Sequence, residues 1–154
     1  MITFEEIKKS GVILIKNKSF SDNRGYFFEN YNYNKFKTQK IKKRIVQNNV
    51  SFSKKGVIRG LHYQTAPYQQ AKIVSVLKGK VLDVALDIRK NSKSYLKNIT
   101  AILSDKNKHA LFIPEGFAHG FQVLSDYAIV SYMVTNKWSK DHEKTLCYKK
   151  YKIK

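Results

Sequence analysis

The stretch Val81-Leu82-Asp83-Val84-Ala85-Leu86-Asp87-Ile88 constrains this chain more than any other. Alternation along an extended strand puts Val81, Asp83, Ala85 and Asp87 on one face, and Leu82, Val84, Leu86 and Ile88 on the other. An apolar outer face backed by a face with two acids does not suit a simple sandwich. It fits a barrel whose interior holds a polar site. Six more runs, Val57–Tyr63, Ile73–Leu77, Ile99–Leu103, Ala110–Ile113, Phe117–Leu124 and Ala128–Val134, are short and rich in β-branched and aromatic residues. Gly, Asn, Asp, Ser or Pro punctuates them, which makes seven expected strands and an all-β sandwich or jelly roll. Leu77-Lys78-Gly79-Lys80 reads as a tight hairpin with Gly79 at positive φ. One or two short helices are expected, over Glu29–Ile41 and as a turn or two near Phe4–Lys9.

At 154 residues, 42% of them hydrophobic and 27% charged, the sequence reads as one globular domain over residues 1–154. No apolar run approaches the ~20 residues of a membrane span. The N-terminus carries acids early and has only Val12–Ile15 continuously apolar, so neither a signal peptide nor a membrane partner is expected. The single cysteine, Cys147, suits a reducing cytoplasm. The net charge of +19 admits three readings: a nucleic-acid partner, an anionic small molecule such as a nucleotide diphosphate, or a lysine-rich solvated surface. The excess is scattered, with clusters at Lys40–Arg44 and Lys149–Lys154. No helix-turn-helix, zinc or RNA-recognition signature accompanies it, so no nucleic-acid partner is expected.

Three of the four histidines lie in or beside expected strands: His62, His109 and His119. His109 and the more distant His142 read as surface or satisfied core residues. His62 stands out because Gly60, on its face, leaves room for a ligand or for close backbone approach. Metal-binding barrels of this size use a His-x-His pair followed by Glu. Here the second position is Gln64, an amide, and no Glu follows within a dozen residues, so no metal is expected. His62 is then a candidate general base, and Tyr132, sharing a face with Val130 and Val134, is a candidate acid. One base and one phenol in a barrel suggest proton abstraction and return beside a carbonyl. Ideal alternation puts Arg59 and His62 on opposite faces, so both reach one ligand only if a bulge lies near Gly60.

Several blocks are specific enough to name a family. Asp22-Asn23-Arg24-Gly25-Tyr26-Phe27-Phe28-Glu29, Gln47-Asn48-Asn49-Val50-Ser51 and Arg59-Gly60-Leu61-His62-Tyr63-Gln64 together resemble the dTDP-4-dehydrorhamnose 3,5-epimerase family. So do Gln70-Ala71-Lys72-Ile73-Val74 and Pro114-Glu115-Gly116-Phe117-Ala118-His119-Gly120-Phe121. The resemblance implies a cupin-type double-stranded β-helix with no metal and no cofactor, a homodimer, and a nucleotide-diphosphate 4-keto-6-deoxy sugar as substrate. It implies His62 as base and Tyr132 as acid, with Lys72 beside the enolate oxygen and Arg59 on the diphosphate. It matches Gln47, Asn49, His119 and Glu143 to substrate contacts, and Trp138 to an aromatic that stacks on the nucleotide base. Arg24 and Glu29 match positions that reach the partner's site. The family's acid that pairs with the catalytic His belongs to a segment that follows the position of Lys154, so another group is expected to orient His62. Asp83 is the candidate. A 3,4-ketoisomerase on the same scaffold and a non-catalytic sugar-nucleotide-binding cupin are the competing functions.

Overall fold

The structure, a computed structural model, describes residues 2–39, 41–151 and 153. Its strands in chain order are β1 (Thr3–Glu6), β2 (Ile13–Lys16), β3 (Phe20–Asp22), β4 (Gly25–Phe27), β5 (Gln47–Lys54), β6 (Ile58–Gln64) and β7 (Lys72–Lys78). They continue with β8 (Lys80–Asp87), β9 (Asn98–Ser104), β10 (His109–Ile113), β11 (Phe117–Val123), β12 (Tyr127–Val134) and β13 (Glu143–Thr145). One α-helix, α1 (Tyr33–Thr38), lies between β4 and β5, and 3-10 turns cover Lys140–His142 and Tyr148–Tyr151. All seven expected strands form, each end within one residue of its expected position.

Two antiparallel sheets face each other, in the orders β1-β2-β10-β7-β12-β5 and β13-β6-β11-β8-β9. Their inner faces share a core that includes Val74, Val81, Ala85, Leu103, Leu111, Phe121, Val123 and Val130. This is the cupin-type jelly roll that the sequence implied. The β7–β8 hairpin turns at Gly79, whose φ is +85°, as expected.

The apolar outer face of β8 has a partner. Val84 and Leu86, with Leu61 and Ala118 of neighbouring strands, are covered by Tyr148, Tyr151 and Ile153. Among the described residues of the basic tail, it is the aromatic and aliphatic side chains between the lysines that seal the outside of the second sheet. Lys152 and Lys154 of that cluster, and Lys40 of the other, lie outside the described residues. The outer face of the first sheet is sealed in turn by Phe36 of α1 and by Ile41, packed on Ile13, Ile15, Ile73, Ala110 and Met133.

Two helical expectations change. Residues near Phe4–Lys9 form β1, paired with β2, because Lys8 and Lys9 both adopt left-handed backbone (φ 51° and 52°) that no right-handed helix tolerates. Over Glu29–Ile41 only Tyr33–Thr38 is helical; Asn32 starts it, its side chain accepting from the Lys35 N–H at 3.3 Å.

Candidate active site

Toward one side of the interior, the apolar fill gives way to polar groups. There a cavity of about 360 Å3 is lined by Gln47, Asn49, Arg59, His62, Gln70, Lys72, His119, Gly120, Phe121, Tyr132, Trp138 and Glu143. Nine of the twelve residues picked from the sequence therefore meet in one place. His62 and Arg59 come from β6, His119 from β11 and Glu143 from β13, all in the five-stranded sheet. Gln47 and Asn49 of β5, Lys72 of β7 and Tyr132 of β12 come from the six-stranded sheet. His62 and Tyr132 thus approach the cavity from opposite walls.

The bulge required near Gly60 is present. Between β6 and β11, the step from His62 to Arg59 spans three residues and faces the two-residue step from His119 to Phe121. One extra residue reverses the alternation and brings Arg59 to the face of His62. Glycine is obligatory here: φ is +111°, and a Cβ on Gly60 would lie 2.5 Å from the His119 carbonyl oxygen and 2.6 Å from the Gly120 Cα. The space beside His62 serves backbone approach rather than a ligand. Arg59 is then held from behind, donating Nε to Ser53 Oγ at 2.8 Å and Nη2 to the Phe52 carbonyl at 3.2 Å.

The expected role of Asp83 is overturned. In the sheet order β6-β11-β8, β11 stands between Asp83 and His62. Asp83, fully buried, accepts instead from His119 Nε2 at 2.9 and 3.1 Å. His62 finds its partner on the other side, where its Nδ1 lies 3.0 Å from Thr145 Oγ1 of β13. Thr145 was missed because a threonine in a lysine-rich stretch carries no sequence signal of its own. Gln70, Gly120 and Phe121 also line the cavity. Gln70 donates to the Asn136 carbonyl at 2.8 Å, and the motifs containing these residues could have pointed to them.

Burial lowers the His62 pKa below its usual value; Glu143 opposes this, while Lys72, His119 and Arg59 add to it. Burial also pushes the Lys72 ammonium down to about 8, with Asp83 and Glu143 pulling it part of the way back. At neutral pH the site accordingly holds a free imidazole and a cationic ammonium. At the mouth, Gln47 accepts from the Trp138 backbone N–H at 3.1 Å and donates to Asn49 at 2.7 Å, which anchors the main chain that carries a half-exposed indole. Gln64, at the second His-x-His position, is structural: it donates to the Tyr68 and Lys137 carbonyls and accepts from the Ser139 N–H. Among the described residues no three His, Cys, Asp or Glu side chains cluster as a metal site.

Arg24 and Glu29 do not line this cavity. Arg24 lies in the turn between β3 and β4, pairs with Asp22 at 2.6 Å and is 86% exposed; Glu29 pairs with Lys35 at 2.5 Å. His142, against Ser139 and Tyr68, and His109 lie outside the cavity lining as well.

The family model for dTDP-4-dehydrorhamnose 3,5-epimerase matches residues 6–154. A curated enzyme of that name from Shigella flexneri is 47% identical over 138 residues, which are 89% of this chain and 76% of the relative. A crystal structure of the Legionella pneumophila dTDP-6-deoxy-D-glucose-3,5-epimerase, in complex with dTDP-4-keto-L-rhamnose, superposes with a TM-score of 0.93 at 40% identity. The match covers 96% of this chain and 79% of that one. The Bacillus anthracis dTDP-4-dehydrorhamnose 3,5-epimerase, with TDP and PPi bound, gives 0.95 at 36% identity, covering 99% and 89%. A matching family model over nearly the whole chain, close relatives and a shared architecture agree: the chain belongs to the dTDP-4-dehydrorhamnose 3,5-epimerase family.

Proposed function

We propose that this protein epimerises C3 and C5 of a dTDP-linked 4-keto-6-deoxy sugar, without metal or cofactor. The observation that carries this reading is the approach of His62 and Tyr132 to one cavity from opposed sheets, with Lys72 on its wall. A ketone at C4 acidifies the hydrogens on both neighbouring carbons. His62, uncharged at neutral pH, removes one of them to give an enolate, and the Lys72 ammonium stabilises the charge that develops on the C4 oxygen. Tyr132 returns a proton from the other face, and that opposition inverts the carbon. The cavity holds the hexose; the diphosphate runs to Arg59 and the base stacks on Trp138 at the open mouth. Gln47, Asn49, His119 and Glu143 offer hydrogen bonds to the sugar, and the Asp83–His119 pair stiffens that wall.

A homodimer completes the reading. The β3–β4 hairpin exposes Phe20, Tyr26 and Phe27, and the edge strand β5 exposes Val50 and Phe52, apolar surface of the kind a second copy covers. Arg24, on that hairpin and away from its own cavity, is placed to serve its partner's. A cytoplasmic setting accords with the exposed free thiol of Cys147, and among the described residues no helix is long and apolar enough to cross a membrane.

Incubation with dTDP-4-keto-6-deoxyglucose in deuterated water tests the proposal. Deuterium is expected at C3 and C5 of the sugar, with the ketone still at C4. Absence of label from folded protein, or a ketone moved to C3, rejects it. Turnover is expected to fall on the acid side as His62 gains a proton. It falls again above about pH 8 as Lys72 loses one.

A further inference from the structure

Strand β6 carries His62, and two residues later it ends on Gln64, a buried side chain that the proton transfers at C3 and C5 do not use. Alternation puts both side chains on one face of the strand, about 7 Å apart along it. Gln64 does not line the cavity. Its amide is taken up by main chain outside the strand. Nε2 donates to the carbonyls of Tyr68 at 2.6 Å and Lys137 at 3.1 Å, and Oε1 accepts from the Ser139 N–H at 2.7 Å.

Two of these three partners flank Trp138. The Lys137 carbonyl belongs to the peptide unit before it, and the Ser139 N–H to the peptide unit after it. The first unit is held at its other end as well, where Gln47 accepts from the Trp138 backbone N–H at 3.1 Å. Peptide units are planar, so holding both fixes the two backbone dihedrals of Trp138 and the direction in which its side chain leaves the chain. The indole is 51% exposed, so the main chain beneath it decides where it stands more than packing around it does.

We propose that Gln64 is the positioning residue of Trp138: it holds the indole as a preformed platform for the nucleobase, at a separation from His62 that a single strand sets. The inference deepens the proposed function and rests on its reading of Trp138 as the stacking surface. A carbonyl only accepts and an N–H only donates, so this clamp needs two donors and one acceptor on a single planar group. A primary amide supplies that set, whereas a carboxylate has no donor and a neutral imidazole has one. A platform ordered before the ligand arrives removes an ordering cost from binding. The gain therefore lies in nucleotide affinity and not in the chemical step.

Trp138 is the single tryptophan of the chain, so the intrinsic fluorescence of the whole protein reads this one side chain. With dTDP as the probe, wild type is expected to show quenched emission on binding and, when free, the high anisotropy of a fixed indole. Gln64→Met, of similar length but without the amide, should lower that anisotropy. It should weaken dTDP binding about tenfold by calorimetry, toward the lower end of the effect of losing one base–aromatic stack. KM should rise by a similar factor while kcat stays within about twofold. Gln64→Glu, which keeps only the acceptor for Ser139, should shift the same quantities in the same direction and serves if the methionine variant fails to fold. In a Trp138→Ala background, Gln64→Met should cost no further dTDP affinity, because the platform it positions is gone. Additive losses in the double variant overturn the inference, as does an unchanged anisotropy or a fall in kcat at constant KM. Wild-type emission that stays unaltered while dTDP binds rejects the stacking reading itself, so the two failures are distinguishable.

Discussion

Asp83 and Asp87 lie four residues apart on the same inward face of β8, and both are fully buried. Their surroundings make them different objects. Asp87 accepts from Arg89 Nε and Nη2 at 2.9 and 2.7 Å, from the hydroxyls of Ser92 and Ser94 at 2.6 Å each, and from the Arg89 N–H at 3.0 Å. Arg89 also donates to the Ser10 carbonyl and lies over the Phe117 ring. This end of the strand is a latch that ties the β8–β9 loop to the β1–β2 loop. Asp83, among the described residues, accepts hydrogen bonds only from His119, whose ring lines the cavity. A buried carboxylate saturated with fixed donors holds structure. One with a single titratable partner beside an opening remains able to respond to a ligand.

If the two ends are separate devices, mutations should sort by end. The largest effect is expected at the cavity: His62→Ala should lower turnover by about a thousandfold, within the usual range for losing a general base, while leaving the unfolding midpoint close to wild type. Asp87→Ala should do the reverse. Leaving the Arg89 charge half-buried with its partner gone costs about 3 kcal/mol of stability, read from urea unfolding, with turnover per folded molecule unchanged. Loss of turnover in Asp87→Ala without loss of stability would erase the distinction. Gly60→Ala should fall between them. It forces a Cβ against the β11 backbone at positive φ, costing about 2 kcal/mol, and lowers activity because Arg59 and His62 lose their common face.

The same contrast explains what could be read from the sequence. β7, β8, β11 and β12 were legible because each carries apolar residues on an inward face. The motif blocks contain six of the nine site residues that the sequence picked out, and Tyr132, Trp138 and Glu143 came from strand alternation and from the wider family resemblance. β5 was not legible as a strand because its pattern is inverted. Gln47, Asn49, Ser51 and Ser53 point inward, toward the cavity and the Arg59 anchor, while Val50 and Phe52 face out. The partner of His62 was misassigned because alternation shows which face Asp83 occupies but not which strand lies next to β8. Only the sheet order reveals that β11 intervenes. Asp87 shared the face of Asp83 and so read as part of the polar site, although its partners are the three residues Arg89, Ser92 and Ser94 on the loop just after it. The +19 charge gave no answer either, since most of its lysines are on solvated surface.

The smallest contrast is also the sharpest, because the two ends should respond to pH in separate windows, one through a charge that stabilises and the other through a charge held at a cost. Burial works against the Asp87 carboxylate, yet the Arg89 guanidinium and the two serine hydroxyls outweigh it and hold the group well below the usual carboxylate range. Its contribution to stability is present above pH ~4, the ordinary unfolded value, and is lost as pH falls further. Lys72 is depressed from 10.5 to about 8. Between those values the unfolded chain binds more protons than the folded one, so stability rises with pH across that window, and below it the buried ammonium is a standing cost. Self-repulsion of a +19 chain also eases as pH approaches the isoelectric point near 10, so the informative quantity is the difference between variants. Lys72→Met should be more stable than wild type at pH 7, should close that gap by about pH 10, and should be catalytically impaired throughout. Asp87→Asn should keep the alkaline rise and lose part of the acid limb. Urea midpoints at pH 3, 7 and 10 for the three proteins decide it. A Lys72→Met protein no more stable than wild type at pH 7 would mean that the ammonium is not held at a cost, and that the cavity is no less settled than the latch.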